Sequence, residues 1–506
     1  MRAQCRHCTT LSVARELEVD GLGELLAQFY EKPDNLAIRY GMKYEAALET
    51  ELKANLGDLV QAPLEQTSEA TIDLMNQGVP VIYQGVLKGG SGAMLFSGRP
   101  DFLLRGDYRF EFTESGLTAK QVDGWSEGYT AWDAKLSQTA KIDYQNQVGL
   151  YVDVLRTLGL EASSHHGLIL GSREIAEFGA DALIAQMVEQ RNKFLKTCFE
   201  IIESAPQRIE DLGELICEAS SYCDICEYPK LCDHQRRELN HLQLVAGITR
   251  PNIESLNRSG VKTVKQLAEF DGETDKLSPE QLAKLRRQAR LQQDTYETQE
   301  PGFEVIDQSA LDQLPAENEG DVFFDLEGFT LFSEPGGIEY LWGWTCVDGG
   351  EHFEYEWADS REDEKLAFIA FMEDAIRRQR KFPGCRIYHY ANYEQNALKK
   401  LAERHGVYQT EVADLLNRGV FIDLYKTVKQ ALCISQESYS IKKLEAYYSF
   451  KRVSEVKEAL GSMEYYDQYL QADGDAREKL KRQVIAYNQD DCASTLALYK
   501  WLKSLT

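Results

Sequence analysis

Strand-type runs fall in two separate blocks of this chain, and the stretch between them carries helical spacing alone. In the first block VPVIYQGVL and MLFSGRPDFLLR, punctuated by glycine, read as strands. YEAALETELKANL, DYQNQVGLYVDVLRTLG and ADALIAQMVEQRNKFLKTCFEIIES repeat their apolar residues at helical intervals. From 236 onward the pattern is helical, ending in SPEQLAKLRRQARLQ, whose Ser-Pro opening suits a helix start. A polar stretch, DQLPAENEGD, leads into the second block. There FFDLEGF, IEYLWGWT and HFEYEWA read as consecutive strands, followed by a helix (DEKLAFIAFMEDAIRRQ) and a further strand (CRIYHYA). The fold class that follows is α/β and multidomain. The expected domains are 1–235, 236–298 and 299–506, in keeping with 506 residues at roughly 150 per domain.

Lys and Arg number 56 against 82 Asp and Glu, a formal charge of −26. That balance argues against a histone-like coat on nucleic acid; any such contact must come from a local basic patch or from bound cations. Residues 236–290 supply one patch, with eleven basic residues against seven acidic ones. No apolar run reaches the roughly 18 residues of a membrane span. The opening MRAQCRHCTT lacks the apolar stretch of a signal peptide, so a cytoplasmic location is expected.

Three carboxylates and a lysine stand out in the first block. Asp101 follows Gly-Arg-Pro, and Asp133 and Lys135 lie in AWDAKLS, where strand alternation puts both on one face. Two carboxylates so placed can hold Mg²⁺ or Mn²⁺, which prefer oxygen ligands and lower the pKa of a bound water. The lysine can position that water or offset charge on the transition state. Glu45, in a helical pattern upstream, offers a third carboxylate. Gln147 and Tyr151 lie one helical turn apart downstream. The order G-x-x-x-E, R-P-D, D-A-K, Q-x-x-x-Y resembles the PD-(D/E)XK nucleases of the RecB type, over about the first 235 residues. The resemblance implies a restriction-endonuclease-like domain in which Glu45, Asp101 and Asp133 bind metal, Lys135 is catalytic, and Gln147 and Tyr151 border the site.

Eleven cysteines in a chain without a secretion signal point away from a disulfide framework. Cys223, Cys226 and Cys232 have tight ligand spacing, suited to zinc or an iron–sulfur cluster. The same RecB-like nucleases take a fourth cysteine from the start of the domain, and Cys5 is its match here. The resemblance implies a [4Fe-4S] cluster on Cys5, Cys223, Cys226 and Cys232, with zinc as the alternative; Cys8 and Cys217 are rival ligands. Such a cluster would tie the two ends of one domain together.

Within the helical stretch, Leu244–Thr249 followed by Ser259–Thr263 resembles helix-hairpin-helix modules. Gly247 permits the tight turn, and the next helix start can face a phosphate. An ordinary helical linker is the alternative reading.

In the second block Asp325 and Glu327 share a face of FFDLEGF, while Tyr487 and Asp491 lie four apart in a helical pattern. Glu394 stands where a strand runs into a helix, and Asp423 is its fallback. This D-x-E with a distant Y-x-x-x-D resembles DEDD-type exonucleases of the RNase H-like fold, in particular RecB-family nucleases with a C-terminal RNase H-like domain. It implies that Asp325, Glu327, Glu394 and Asp491 hold two divalent ions and that Tyr487 orients the attacking water. Lys442 and Lys443 read as a solvated helix face, with contact to phosphates as the alternative.

The function expected from the whole is a metal-dependent nuclease, exonucleolytic on single strands or ends, with nucleic acid as its partner and DNA preferred to RNA. No G-x-x-x-x-G-K-[ST] occurs, so any helicase would be a separate partner. The other reading is a non-catalytic nucleic-acid-binding or scaffolding protein with decayed sites.

Overall fold

The computed structural model describes residues 5–30, 36–90, 95–122, 127–162, 165–212, 219–332, 336–454 and 459–506. The chain forms two compact units, Met1–Gln235 and Arg236–Thr506. Among the described residues no helix is long and apolar enough to cross a membrane.

The first unit is built on a six-stranded mixed sheet. Its strands lie side by side in the order Val60–Gln61, Val81–Tyr83, Phe102–Arg105, Tyr129–Lys135, His165–Leu170 and Ile175–Gly179. VPVIYQGVL is not one strand: it breaks at Gln84, whose φ is +50°, into Val81–Tyr83 and Leu87–Gly89. MLFSGRPDFLLR likewise breaks at the Arg-Pro pair, because proline removes a ladder donor. Tyr129–Lys135 is interior to the sheet and buried through Asp133, which is why its middle is apolar. Alternation divides its side chains between two cores. Trp132 packs with Leu48 and Leu52 of the helix Leu36–Leu56. Tyr129 and Ala131 pack with Tyr151, Val154 and Leu155 of the helix Ile142–Thr157.

In the second unit a five-stranded sheet runs His352–Trp357, Ile338–Cys346, Val322–Phe329, Ile387–His389, Phe421–Asp423. The first three are antiparallel neighbours and the last two join parallel to the central Val322–Phe329. Val322, Phe324 and Leu326 point to a core with Phe368 and Phe371 of the helix Arg361–Lys381. Phe323 points the opposite way, to a core with Leu496, Tyr499 and Leu502 of the helix Gly474–Lys503. Period-two alternation therefore carries Asp325 and Glu327 to the face covered by Gly474–Lys503.

Residues 236–298 are continuous with this second unit. Helices Arg250–Arg258, Val264–Glu269 and Pro279–Thr298 close on Leu256, Val264, Leu267 and Leu285. Ser278 caps the last of them reciprocally: its Oγ accepts from Gln281 N at 3.2 Å and Gln281 Oε1 accepts from Ser278 N at 3.0 Å. Gln288 of that helix donates to Ile434 O at 2.6 Å, tying it to the strand Leu432–Ile434.

Candidate metal centre

Asp325, Glu327 and Asp491 bring one carboxylate oxygen each to within 4.8 Å of one another. The strand supplies two and the long C-terminal helix the third. Each is held from behind by a residue that the D-x-E and Y-x-x-x-D patterns do not include. Asn488, fully buried, donates to Asp325 Oδ2 at 2.7 Å. Ser462, from the helix Ala459–Gln471, donates to Glu327 Oε2 at 3.1 Å and shares a 2.6 Å hydrogen bond with Tyr340. Arg452 Nη2 donates to Asp491 Oδ1 at 2.6 Å. The Asp490 carboxylate accepts from the backbone N of Val453 and Ser454, at 3.0 and 2.8 Å, and so anchors the segment that presents Arg452.

Three crowded acids face Arg452 as the one cation ion-paired to them among the described residues. Burial, then Asp491 and Glu327, hold the Asp325 carboxyl well above its ordinary range. Burial and Asp491 push Glu327 up to about 8. Burial raises Asp491 too, against the pull of Arg452. A divalent cation is the partner such a cluster fits, since oxygen ligands of this charge are what Mg²⁺ and Mn²⁺ take.

Tyr487 lies on the same helix as Asp491, and its hydroxyl accepts from Lys442 Nζ at 2.9 Å. The Lys442 ammonium also sits 4.8 Å from the centre of the Tyr487 ring, and the Arg452 guanidinium 5.7 Å from it. Lys442 is thus part of the site and not a solvated face; its side chain is partly buried. Glu394 is not one of the three converging carboxylates. It is buried, and His389 Nδ1 lies 3.2 Å from its Oε2, although its charge is felt at Asp325. Asp423 caps the helix Leu424–Ala431 through Tyr425 N at 3.0 Å and accepts from Ala391 N at 2.9 Å.

In the first unit Phe102 pairs with Trp132, so continuing the antiparallel register by one residue sets Asp101 opposite Asp133. Asp101 Oδ2 accepts from Ala134 N at 2.6 Å. Lys135 is ion-paired to Asp133, whose carboxylate is otherwise buried without a hydrogen-bond donor among the described residues. Burial, then Asp133, lift the Asp101 carboxyl well above its ordinary range. Burial works against the Lys135 ammonium, but Asp133 and Asp101 outweigh it and raise its pKa. Gln147 Nε2 donates to the Tyr151 hydroxyl at 2.9 Å, which donates in turn to Arg99 O at 3.3 Å. Glu45 accepts from Gln84 and is felt electrostatically at Asp101. Among the described residues it does not join Asp101 and Asp133 in a three-ligand cluster of the kind seen in the second unit.

The cysteines at the start of the chain and those near its residue 230 share one apolar cluster, which includes Cys8, Cys226 and Cys232, with Cys5 packed against it. Three thiols accept backbone N–H groups at 3.4 Å: Cys5 from Cys8, Cys223 from Ser220, and Cys226 from Tyr228. A hydrogen bond with Cys8 brings the Cys226 thiol down to about 6. Cys217 lies outside the described residues.

Comparison with known families places this geometry. Residues 322–503 match the model of the RNase_H superfamily. Comparison with curated proteins and with solved structures returned no match. Domains of that superfamily are usually nucleases that use divalent metals, and the matched stretch contains Asp325, Glu327, Asn488 and Asp491. The C-terminal part of the chain is therefore an RNase H-like domain, with a carboxylate cluster of the kind that holds metal ions.

Proposed function

We propose that the protein is a metal-dependent nuclease that hydrolyses phosphodiester bonds of DNA, working exonucleolytically on single strands or ends. The observation that carries this reading is the convergence of Asp325, Glu327 and Asp491 within 4.8 Å inside an RNase H-like domain. Bound there, Mg²⁺ or Mn²⁺ would polarise the scissile phosphate and acidify a coordinated water. The chain's own residues supply the rest. Asn488, Ser462 and Arg452 hold the three carboxylates in one orientation each, which limits reorganisation when substrate arrives. Lys442 keeps the Tyr487 hydroxyl oriented beside Asp491, where it can position the attacking water. Lys442 and Arg452 together place two positive charges where negative charge builds up on the phosphorane. Glu394 would serve the second ion only after releasing His389.

The pair Asp101 and Asp133 with Lys135 supports a second, PD-(D/E)XK-type site in a restriction-endonuclease-like first domain, with Glu45 as third ligand and Gln147 and Tyr151 along its border. Its fit to a cation rests on the Asp133 carboxylate, buried with only Lys135 ion-paired to it among the described residues. The N–H donors on Cys5, Cys223 and Cys226 support a thiolate-bound [4Fe-4S] cluster, with Cys232 as fourth ligand.

The test is cleavage of end-labelled single- and double-stranded DNA and RNA with Mg²⁺ or Mn²⁺, comparing wild type with Asp133→Ala and Asp325→Ala. Stepwise loss of terminal nucleotides, abolished by Asp325→Ala, is expected. No cleavage of any substrate with either metal sinks the reading in favour of a binding or scaffolding role.

A further inference from the structure

A cavity of about 210 Å³ lies within the second unit, between the hairpin at Gly247, the helix Pro279–Thr298 and the segment Lys429–Tyr439. Its walls hold three cations, Lys284, Arg287 and Lys429, and no Asp or Glu. In a chain of net charge −26 that is a local inversion. Arg287 has Glu304 at 3.6 Å, but Lys284 and Lys429 have no carboxylate partner among the described residues. Lys429 instead stands over the Tyr425 and Tyr439 rings, at 5.7 and 5.2 Å.

The neutral polar groups follow the same sign. Asn252 spends its amide oxygen on Thr249 N at 2.9 Å, and Gln281 spends its own on Ser278 N at 3.0 Å. What each has left is an NH₂ donor. The Gln288 oxygen is likewise occupied, accepting from the Tyr439 hydroxyl at 3.1 Å. The lining therefore offers donors and positive charge together with the Tyr439 ring and the apolar Leu285 and Leu432. A ligand that fits both is an anionic group joined to a flat, weakly polar body.

We propose that this cavity binds the phosphate group of a nucleotide, free or at the end of a strand. It shares no residue with the carboxylate cluster, and the inference does not depend on the nuclease reading. The experiment is calorimetric titration of the full chain in EDTA with inorganic phosphate, deoxyadenosine 5′-monophosphate and uncharged deoxyadenosine. The monophosphate binds and deoxyadenosine does not. Lys284→Gln and Lys429→Gln each weaken binding about tenfold, a loss equal to about 1.4 kcal/mol. Lys284→Arg, which keeps the charge, retains affinity, and Asp325→Asn binds as wild type whether or not the chain cleaves DNA. A 5′-phosphorylated oligonucleotide that competes better than its 5′-hydroxyl form identifies a strand end; competition by the mononucleotide alone identifies the free ligand, and both uphold the phosphate site. The proposal is overturned if neither the monophosphate nor inorganic phosphate binds, or if both Gln variants bind undiminished.

Discussion

Arg452 Nη2 meets Asp491 Oδ1 at 2.6 Å and at the same time grips Glu445, whose Oε1 it approaches at 2.6 Å. The guanidinium is a positive charge set against a cluster of acids: burial raises both Asp325 and Asp491, and Asp491 and Glu327 raise Asp325 further. Without a metal it therefore serves as the counter-ion of Asp491. Replacing it with glutamine removes the ion pair and leaves that buried carboxylate only the charge of Lys442 and the Tyr487 hydroxyl, a change that costs about 3–5 kcal/mol when a buried pair is broken. Arg452→Gln is expected to lower the melting temperature strongly in EDTA. Saturating Mg²⁺ should recover more of that loss than it adds to the wild type, because the cation restores the missing charge. Scanning calorimetry with and without Mg²⁺ checks this; equal Mg²⁺ increments in both proteins would show that Arg452 does not stand in for a cation.

The carboxylate cluster also sets a pH dependence. Glu327 titrates at about 8 in the fold against an ordinary value of 4.5, so the folded state favours its neutral form. A raised carboxyl stabilises fully below its unfolded pKa, and that contribution is lost as pH climbs through the folded value. In EDTA, stability should decline between about pH 4.5 and 8. A divalent cation needs the ionised form, so its binding releases protons below pH 8 and its stabilising effect grows with pH. Titrations in buffers of different ionisation enthalpy count those protons; no buffer dependence would mean that the cluster is already ionised.

Much of this was legible in the residues, for definite physical reasons. Strand alternation requires Asp325 and Glu327 to share a face, and helical spacing requires Tyr487 and Asp491 to share another, so two halves of the centre could be read without knowing how they meet. What could not be read are the groups behind them. Asn488 sits inside the Y-x-x-x-D motif and Asp490 beside Asp491, yet their partners, Asp325 and the backbone at Val453 and Ser454, are far away in sequence. Ser462 comes from a helix with no local signal of a site. Lys442 looked solvated because a helical lysine ordinarily is, and only the packing of its short helix against Gly474–Lys503 turns it toward Tyr487. Glu394 illustrates the converse: a position that suits a ligand is engaged with His389, a strand neighbour the motif does not weigh.

Gly343 is the least conspicuous of these requirements. It pairs with Asp325 across the sheet, and a Cβ there would fall 1.6 Å from Asn488 Oδ1. Backbone and amide can approach only because nothing is there. Gly343→Ala must displace the Asn488 amide and so take it off Asp325. The expected result is destabilisation of about 1–3 kcal/mol from overpacking, together with loss of metal-dependent cleavage well beyond what the stability change explains. A variant that folds, binds Mn²⁺ and cleaves at the wild-type rate would show that Asn488 does not position Asp325.

The proposed thiolate-bound cluster has two candidate ligands only three residues apart, Cys5 and Cys8. Cys5 is partly exposed and accepts the N–H of Cys8, whereas Cys8 is buried among Cys226 and Cys232 and hydrogen-bonds to the Cys226 thiol. A ligand that accepts N–H bonds keeps its thiolate stabilised, and a buried thiol beside a depressed one is placed to share a metal. If Cys5 is the ligand, Cys5→Ser abolishes the visible absorption of the anaerobically purified protein and Cys8→Ser leaves its intensity intact while shifting its position, through the altered hydrogen bond to the Cys226 thiol. If Cys8 is the ligand, the two variants exchange behaviour. Either pattern comes with a large fall in melting temperature for the ligand variant alone, because a bound cluster would close a loop running from the first helix to residues 223–232. A colourless wild-type protein with one zinc per chain would reject iron and sulfur while leaving the same two variants to decide which thiol binds.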